Sequence, residues 1–386
     1  MKAIPLRTLA AACIVAAGFC LVSAIIALSL APTNPGSRDF IEYWAAEQLL
    51  IHHANPYDRV ATFQIERAAG FTKGRAEFWY SPPVDLLLAL PLGFVGARSG
   101  LILWTIALFA GLSLSLWLIW DLNGRPNTLL SLAGFLFAPA LTCLLAGQIS
   151  IFFLLAFVLF LYFYESHPFW AGAALLPCTL KLHLFLPFAV SLLLWMLVRK
   201  RYSILAGFAA AFTTGCVLTF SFDSHAWSEY SQLMKTEGLL NEFVPTLSET
   251  LRFQIDRSAI WLQFVPGVLA CCWAVWYFWT RRDRWNWMNH GLLLLLVSAL
   301  CRPYGWFFDE SVLLPAVLAG MYRAANSRRS LLPLGLIAGV ALIEALIPVP
   351  ITSLYYLWTA PAWLTWYLYA TRGNGASTEK SAQPSP

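Results

Sequence analysis

The chain has 386 residues, 59% of them hydrophobic and only 12% charged, with a formal net charge of +5. A soluble domain carries about 25% charged residues, so this composition excludes a soluble enzyme and implies an all-α polytopic membrane protein, because backbone groups in lipid must be satisfied within helices. The basic residues flank apolar runs, which makes the positive charge an orientation signal and not a nucleic-acid footprint.

A bilayer core takes about 20 apolar residues per helix, which predicts about twelve spans here. They fall at 8–30, 83–97, 99–120, 128–146, 148–165, 169–198, 203–221, 260–280, 287–303, 308–322, 331–348 and 352–370. The run 83–97 is short and contains Pro91, and 169–198 carries Pro177 and Pro187, which would kink or split it. The first run exceeds the length of a signal-peptide core and reads as a retained span. A single transmembrane domain is expected over 1–370, followed by a disordered tail at 371–386.

With the N-terminus in the cytoplasm, Lys2, Arg7, Arg98, Arg199-Lys200-Arg201, Arg281-Arg282, Arg284, Arg323 and Arg328-Arg329 are all cytoplasmic, and the C-terminus returns to the same side. Arg125 is the exception, stranded outside in a short loop. Two larger loops then face outward, 31–82 and 222–259. In the first, Pro32–Ser37 breaks the preceding span and a helix is expected from Asp39 to about His53. A turn follows at Asn55-Pro56-Tyr57-Asp58, then a second helix at about 59–69, and the loop ends in Tyr80-Ser81-Pro82-Pro83. Both helices suit the membrane interface. The second loop is acidic on balance and reads either as an interfacial lid or as a solvated connector.

All eight cysteines fall within expected spans and read as packing residues. No Walker loop or Gly-x-Gly-x-x-Gly occurs, so no nucleotide is implied. No spaced His/Asp/Glu cluster argues for a metal; His52 and His53 are adjacent and lie on different helix faces. No cofactor is expected.

The residues with the most chemistry open the first outer loop: Arg38-Asp39-Phe40-Ile41-Glu42-Tyr43-Trp44. Asp39 with Glu42 has the spacing of a capping box, and a carboxylate at the membrane surface also suits a general base. Lys181 stands in an apolar stretch, where a lysine costs about 2.5–3.5 kcal/mol at the bilayer centre; it needs a carboxylate, a cavity or an anionic ligand. Arg302, at the outer end of a span, reads as a headgroup anchor or a bidentate phosphate ligand. Asp309 is placed to pair with Arg302. Glu42, Tyr43, Trp44, Tyr57, Tyr80, Gln148, His183 and Trp306 are weaker candidates for substrate contact. Interfacial aromatics and lone polar residues in a bundle have ordinary structural uses too.

The order of motifs resembles a known family. Arg38-Asp39-Phe40, Tyr43-Trp44, Asn55-Pro56-Tyr57-Asp58 and Tyr80-Ser81-Pro82-Pro83 come first. Gly147-Gln148, Lys181 after Pro177, and Arg302-Pro303-Tyr304-Gly305-Trp306-Phe307-Phe308-Asp309 follow. Together they resemble glycosyltransferase family 87, bacterial polytopic enzymes that include polyprenol-phosphate-mannose-dependent mannosyltransferases. The third motif departs from the family's more usual Ser-Pro-x-Ser-Trp, and Phe307-Phe308 stand where some members have a histidine, so no histidine role carries over. The resemblance implies a GT-C-like bundle in the bacterial inner membrane with its active site outside. It further implies a polyprenyl-phosphate hexose donor, mannose first among the sugars, and a lipid-linked or cell-envelope glycan acceptor. Asp39 would be the general base of an inverting transfer, Lys181 and Arg302 would hold the donor phosphate, and no divalent ion is required. The competing reading is a flippase for lipid-linked sugars, which would use Lys181 and Arg302 but leave Asp39 idle.

Overall fold

The computed structural model describes residues 34–77, 79–236, 243–347, 350 and 352–372. The expected first span at 8–30, Cys13, Cys20 and the tail from 373 lie outside these residues. Among the described residues the chain is helical, with no strand.

The stretch expected as the first loop forms α1 (Phe40–Ile51) and α2 (Arg59–Ala68), close to the expected bounds. Asp58 starts α2 by accepting hydrogen bonds from the backbone N–H groups of Val60 and Ala61, the ordinary role of an aspartate at this position. The run 83–97 is not a span. It folds as one helical turn, Pro83–Leu86, and a 3-10 turn, Leu90–Phe94. Its apolar side chains are long enough in sequence, but Pro91 removes a backbone donor, and the run folds as short turns beside α1.

α3 (Ala97–Leu122) follows, one of three runs long and apolar enough to cross a membrane. The stretch expected at 128–146 is a 3-10 turn, Leu129–Leu136, and α4 (Ala138–Ala146); then comes α5 (Ser150–Phe163). The stretch 169–198 is split as its prolines predict, into α6 (Pro168–Ala174), two 3-10 turns and α7 (Leu186–Val198). The second long run is α8 (Tyr202–Phe222). α9 (Ala226–Thr236) and α10 (Leu247–Ile255) lie in the stretch expected as the second loop, 222–259. The third long run, Ile260–Arg284, is built on α11 (Val265–Arg281). α12 (Leu292–Cys301), α13 (Leu314–Asn326), α14 (Leu332–Leu346) and α15 (Thr359–Thr371) complete the chain. The described residues thus show three clear candidate spans and several shorter apolar helices, and they do not establish twelve.

The chain divides into two compact units. One is Met1–Leu114, Leu144–Phe152 and Phe212–Gly238; the other is Ser115–Cys143, Phe153–Ala211 and Leu239–Pro386. In the first unit α1 is buried along most of its length, including Phe40, Ile41, Ala45 and Leu50. It is pinned to the Leu90–Phe94 turn by Trp44 Nε1, which donates to Val95 O at 2.9 Å, and by Gln48 Nε2, which donates to Gly93 O at 2.6 Å. The end of α8 is tied to the same loop: Thr219 Oγ1 donates to Pro83 O at 3.0 Å.

The second unit has an aromatic core around Trp287, which is fully buried. Phe160, Phe188, Trp195 and Trp285 surround it with ring centroids 5.3–5.6 Å away. α6 crosses α8 backbone to backbone. A Cβ at Gly172 would overlap the carbonyl of Ile204, and one at Gly207 would overlap that of Phe169. Small residues permit this approach between helices in membranes.

Candidate active site

Asp39 does not cap its helix. Its backbone is already helical (φ −63°, ψ −18°) and its side chain makes no hydrogen bond to the first turn. The capping box expected from Asp39-x-x-Glu42 is therefore absent. The carboxylate instead accepts a hydrogen bond from Gln148 Nε2, Oδ2 at 3.0 Å. The same amide accepts from Tyr43 Oη at 2.7 Å. A tyrosine hydroxyl that donates to Oε1 fixes which way the amide points, so Nε2 faces the carboxylate.

The approach of Gln148 depends on the residue before it. Gly147 has φ +75°, and a Cβ there would come within 2.9 Å of Phe40 Cβ. Glycine alone meets both conditions cheaply. Trp104 Nε1 donates to Gly147 O at 2.7 Å and its ring lies 5.3 Å from that of Tyr43, while Trp79 meets Tyr43 edge-on at 5.1 Å. Asp39, Tyr43 and Gln148 are thus brought together in the first unit. Trp79 and Trp104, which sequence reasoning passed over, complete the arrangement with Gly147, which it named only as part of the Gly147-Gln148 motif.

Other candidates of this loop sit differently. Tyr57 is 5% exposed, and its hydroxyl donates to Ser81 O at 2.9 Å. Burial raises its pKa well above the ordinary value, and the acidic groups of Tyr230, Asp85, Glu47 and Glu229 add to the effect. It supports the loop and does not stand open to a sugar. Glu42, Trp44 and Tyr80 are partly exposed. Glu47, one turn beyond Tyr43, is fully buried with no hydrogen bond to either carboxyl oxygen, and burial pushes its pKa well above the ordinary carboxylate value.

In the second unit both expected phosphate-binding cations have carboxylate partners. Lys181 Nζ donates to Asp309 Oδ1 at 2.8 Å and lies 5.2 Å from the centre of the Phe308 ring. Arg302 Nη2 donates to Glu310 Oε1 at 3.0 Å. The expected Arg302–Asp309 pair is therefore corrected: Asp309 takes Lys181 and Glu310 takes Arg302. The chain enters a 3-10 turn at Phe307–Leu313, and successive acids on such a turn point in different directions, so the two carboxylates serve different cations.

The pairs differ in how firmly they are held. Glu310 also accepts from Thr359 Oγ1 at 2.9 Å and Trp363 Nε1 at 3.2 Å. Arg302 and Glu310 are 4% and 1% exposed, whereas the Lys181 side chain is 17% exposed. Asp309 Oδ2 accepts the backbone N–H of Trp306 at 2.8 Å. Trp306 Nε1 donates to Tyr304 Oη at 2.9 Å, and the His183 ring meets Tyr304 edge-on at 5.8 Å. Lys181, His183, Tyr304, Trp306 and Asp309 thus form one connected cluster. Among the described residues no group of three or more His, Cys, Asp or Glu side chains is placed to hold a metal.

A family model described as glycosyltransferase family 87 matches residues 78–303, more than half of the chain. Gln148, Lys181 and Arg302 lie within the matched stretch, and Asp39 precedes it. No curated protein and no solved structure matches the chain.

Proposed function

The chain belongs to glycosyltransferase family 87, and on that premise we propose that it moves a hexose, mannose first among the candidates, from a polyprenyl-phosphate donor to a lipid-linked or cell-envelope glycan. Family membership makes it a glycosyltransferase and favours this reading over the flippase. The observation that carries the proposal is the state of Asp39. A carboxylate that does not cap its own helix and is oriented by an amide whose rotamer Tyr43 sets suits the role of a general base.

The step needs one base. An acceptor hydroxyl gives its proton to the Asp39 carboxylate as its oxygen bonds to the anomeric carbon. The bond from that carbon to the phosphate oxygen breaks, and the polyprenyl phosphate leaves with the electron pair. Direct displacement inverts the anomeric centre and forms no glycosyl-enzyme, so the paired carboxylates of glycosidases are not needed. Lys181 is assigned to the negative charge of the phosphate. Arg302, closed into its pair with Glu310, has a supporting role in this reading, a narrower one than the sequence suggested.

Sidedness follows from counting crossings. With 83–97 removed as a span, a chain that starts in the cytoplasm reaches Asp39 outside and returns through α3, which brings Arg125 to the cytoplasmic side and, against the first expectation, leaves Arg98 at the outer end of α3. If α6 with its following turns and α7 each cross, Arg199–Arg201, Arg281–Arg284 and Arg323–Arg329 all remain cytoplasmic, as the positive-inside rule asks.

The test is transfer from a radiolabelled polyprenyl-phosphate-mannose donor in membranes with matched expression of wild type and Asp39→Asn. Loss of transfer by about 10²–10⁴-fold is expected for a general base. Transfer that survives in the variant would remove Asp39 from the chemistry.

A further inference from the structure

Two cation–carboxylate pairs lie within one short stretch of the second unit, and they are unlike. Glu310 is held by three donors, the Arg302 guanidinium and two side chains of α15, Thr359 and Trp363. Asp309 is as deeply buried as Glu310, and the difference between the pairs lies with the cation. One oxygen, Oδ2, is held by the backbone N–H of Trp306, and the other, Oδ1, faces Lys181. The lysine itself is the more exposed of the two cations, and its ammonium is a point charge on a flexible stem that can change partners without a fixed fork geometry.

We propose that Asp309 is a displaceable counter-ion, occupying on Lys181 the place that the donor's phosphate takes when it binds. This rests on the polyprenyl-phosphate reading above and adds to it a residue that sets donor affinity and selects for an anionic lipid. In the absence of donor, the Lys181 charge is neutralised, which lets a lysine persist in an apolar stretch. When a phosphate oxygen arrives, Lys181 Nζ turns to it and Asp309 keeps the Trp306 N–H bond; the cost of leaving this buried carboxylate without its ammonium is what holds donor affinity down in the wild type. A neutral polyprenol offers no charge to replace the carboxylate and is refused. Because the pair must open before phosphate binds, the measured affinity is the intrinsic one reduced by the fraction of open pairs.

The experiment measures binding of a short-chain polyprenyl phosphate, without sugar, to the purified full chain in nanodiscs, with the matching polyprenol as control. Asp309→Asn retains an oxygen for Trp306 N–H and removes the competing charge. It should bind the phosphate about five- to tenfold more tightly than wild type, and Lys181→Met should lose binding. In the double variant Lys181→Met/Asp309→Asn no charge is left unpaired, so it serves as the folded control if either single change fails to accumulate; it should bind no phosphate. Unchanged or weaker binding in a folded Asp309→Asn protein, or wild-type binding by the double variant, would overturn the displacement. If wild type itself does not distinguish polyprenyl phosphate from polyprenol, the donor reading falls, and the displacement with it.

Discussion

Gln148 serves two neighbours with one amide. Tyr43 sets its rotamer and Asp39 receives its N–H. Gln148→Leu should leave the carboxylate present but unaimed, and we expect transfer to fall by about 10²-fold, the cost of misplacing a reacting group by an ångström. Tyr43→Phe frees the amide to rotate and should lose less. A kcat loss without a matching change in donor KM would confirm a positioning role for both. The sequence showed Asp39 plainly, since a carboxylate opening a polar loop beside aromatics is a local pattern. Its partner was far less visible. Gln148 lies 109 residues away, and no local rule says which polar side chain of a bundle reaches which loop. Glu310 was missed outright, because the order Asp309-Glu310 does not reveal which acid faces Arg302; the direction of the turn decides it.

Whole elements were legible where proline or glycine governs the backbone. Pro177 and Pro187 announced the break between α6 and α7, and Asn55–Asp58 announced the turn before α2. The stretch 83–97 misled because hydropathy counts side chains and does not see that Pro91 breaks a helix. The contact of α6 with α8 rests on Gly172 and Gly207, and Gly207→Ala should push these backbones apart. We expect a loss of about 1–3 kcal/mol, as for other overpacked sites, read as a lower midpoint of thermal unfolding in detergent. The α2 helix offers a pH test. Glu66 is buried, accepts one backbone N–H from Glu77 at 3.2 Å, and burial pushes its pKa up to about 8. The folded state therefore keeps a proton that the unfolded chain releases near 4.5. Stability should be greatest below pH 4.5, fall as pH rises toward 8, and level off above it. Glu66→Gln should flatten that slope in unfolding curves taken across the range.

At the scale of the whole molecule, the composition indicated a helical membrane protein, and in the proposed path, with 83–97 no longer a span, α3 runs opposite to the direction first expected. The corrected path predicts that a reporter fused after Arg125 is cytoplasmic and one fused after Gly96 is outside. Activity of an alkaline-phosphatase fusion at the first site would reject that path. The Glu310 carboxylate has a further consequence, for how the protein is made. Its donors come from Arg302, from Thr359 and, 53 residues downstream, from Trp363. A ribosome delivers these in order, so the Arg302–Glu310 pair enters the membrane well before the last helix exists. During that interval the nascent chain carries an incompletely solvated acid in the bilayer. A chaperone or insertase that shelters polar segments should cross-link there, and release should coincide with emergence of α15. A chain stopped before Thr359 is then expected to be held by quality control and degraded, even though every residue assigned to the chemistry has already been translated.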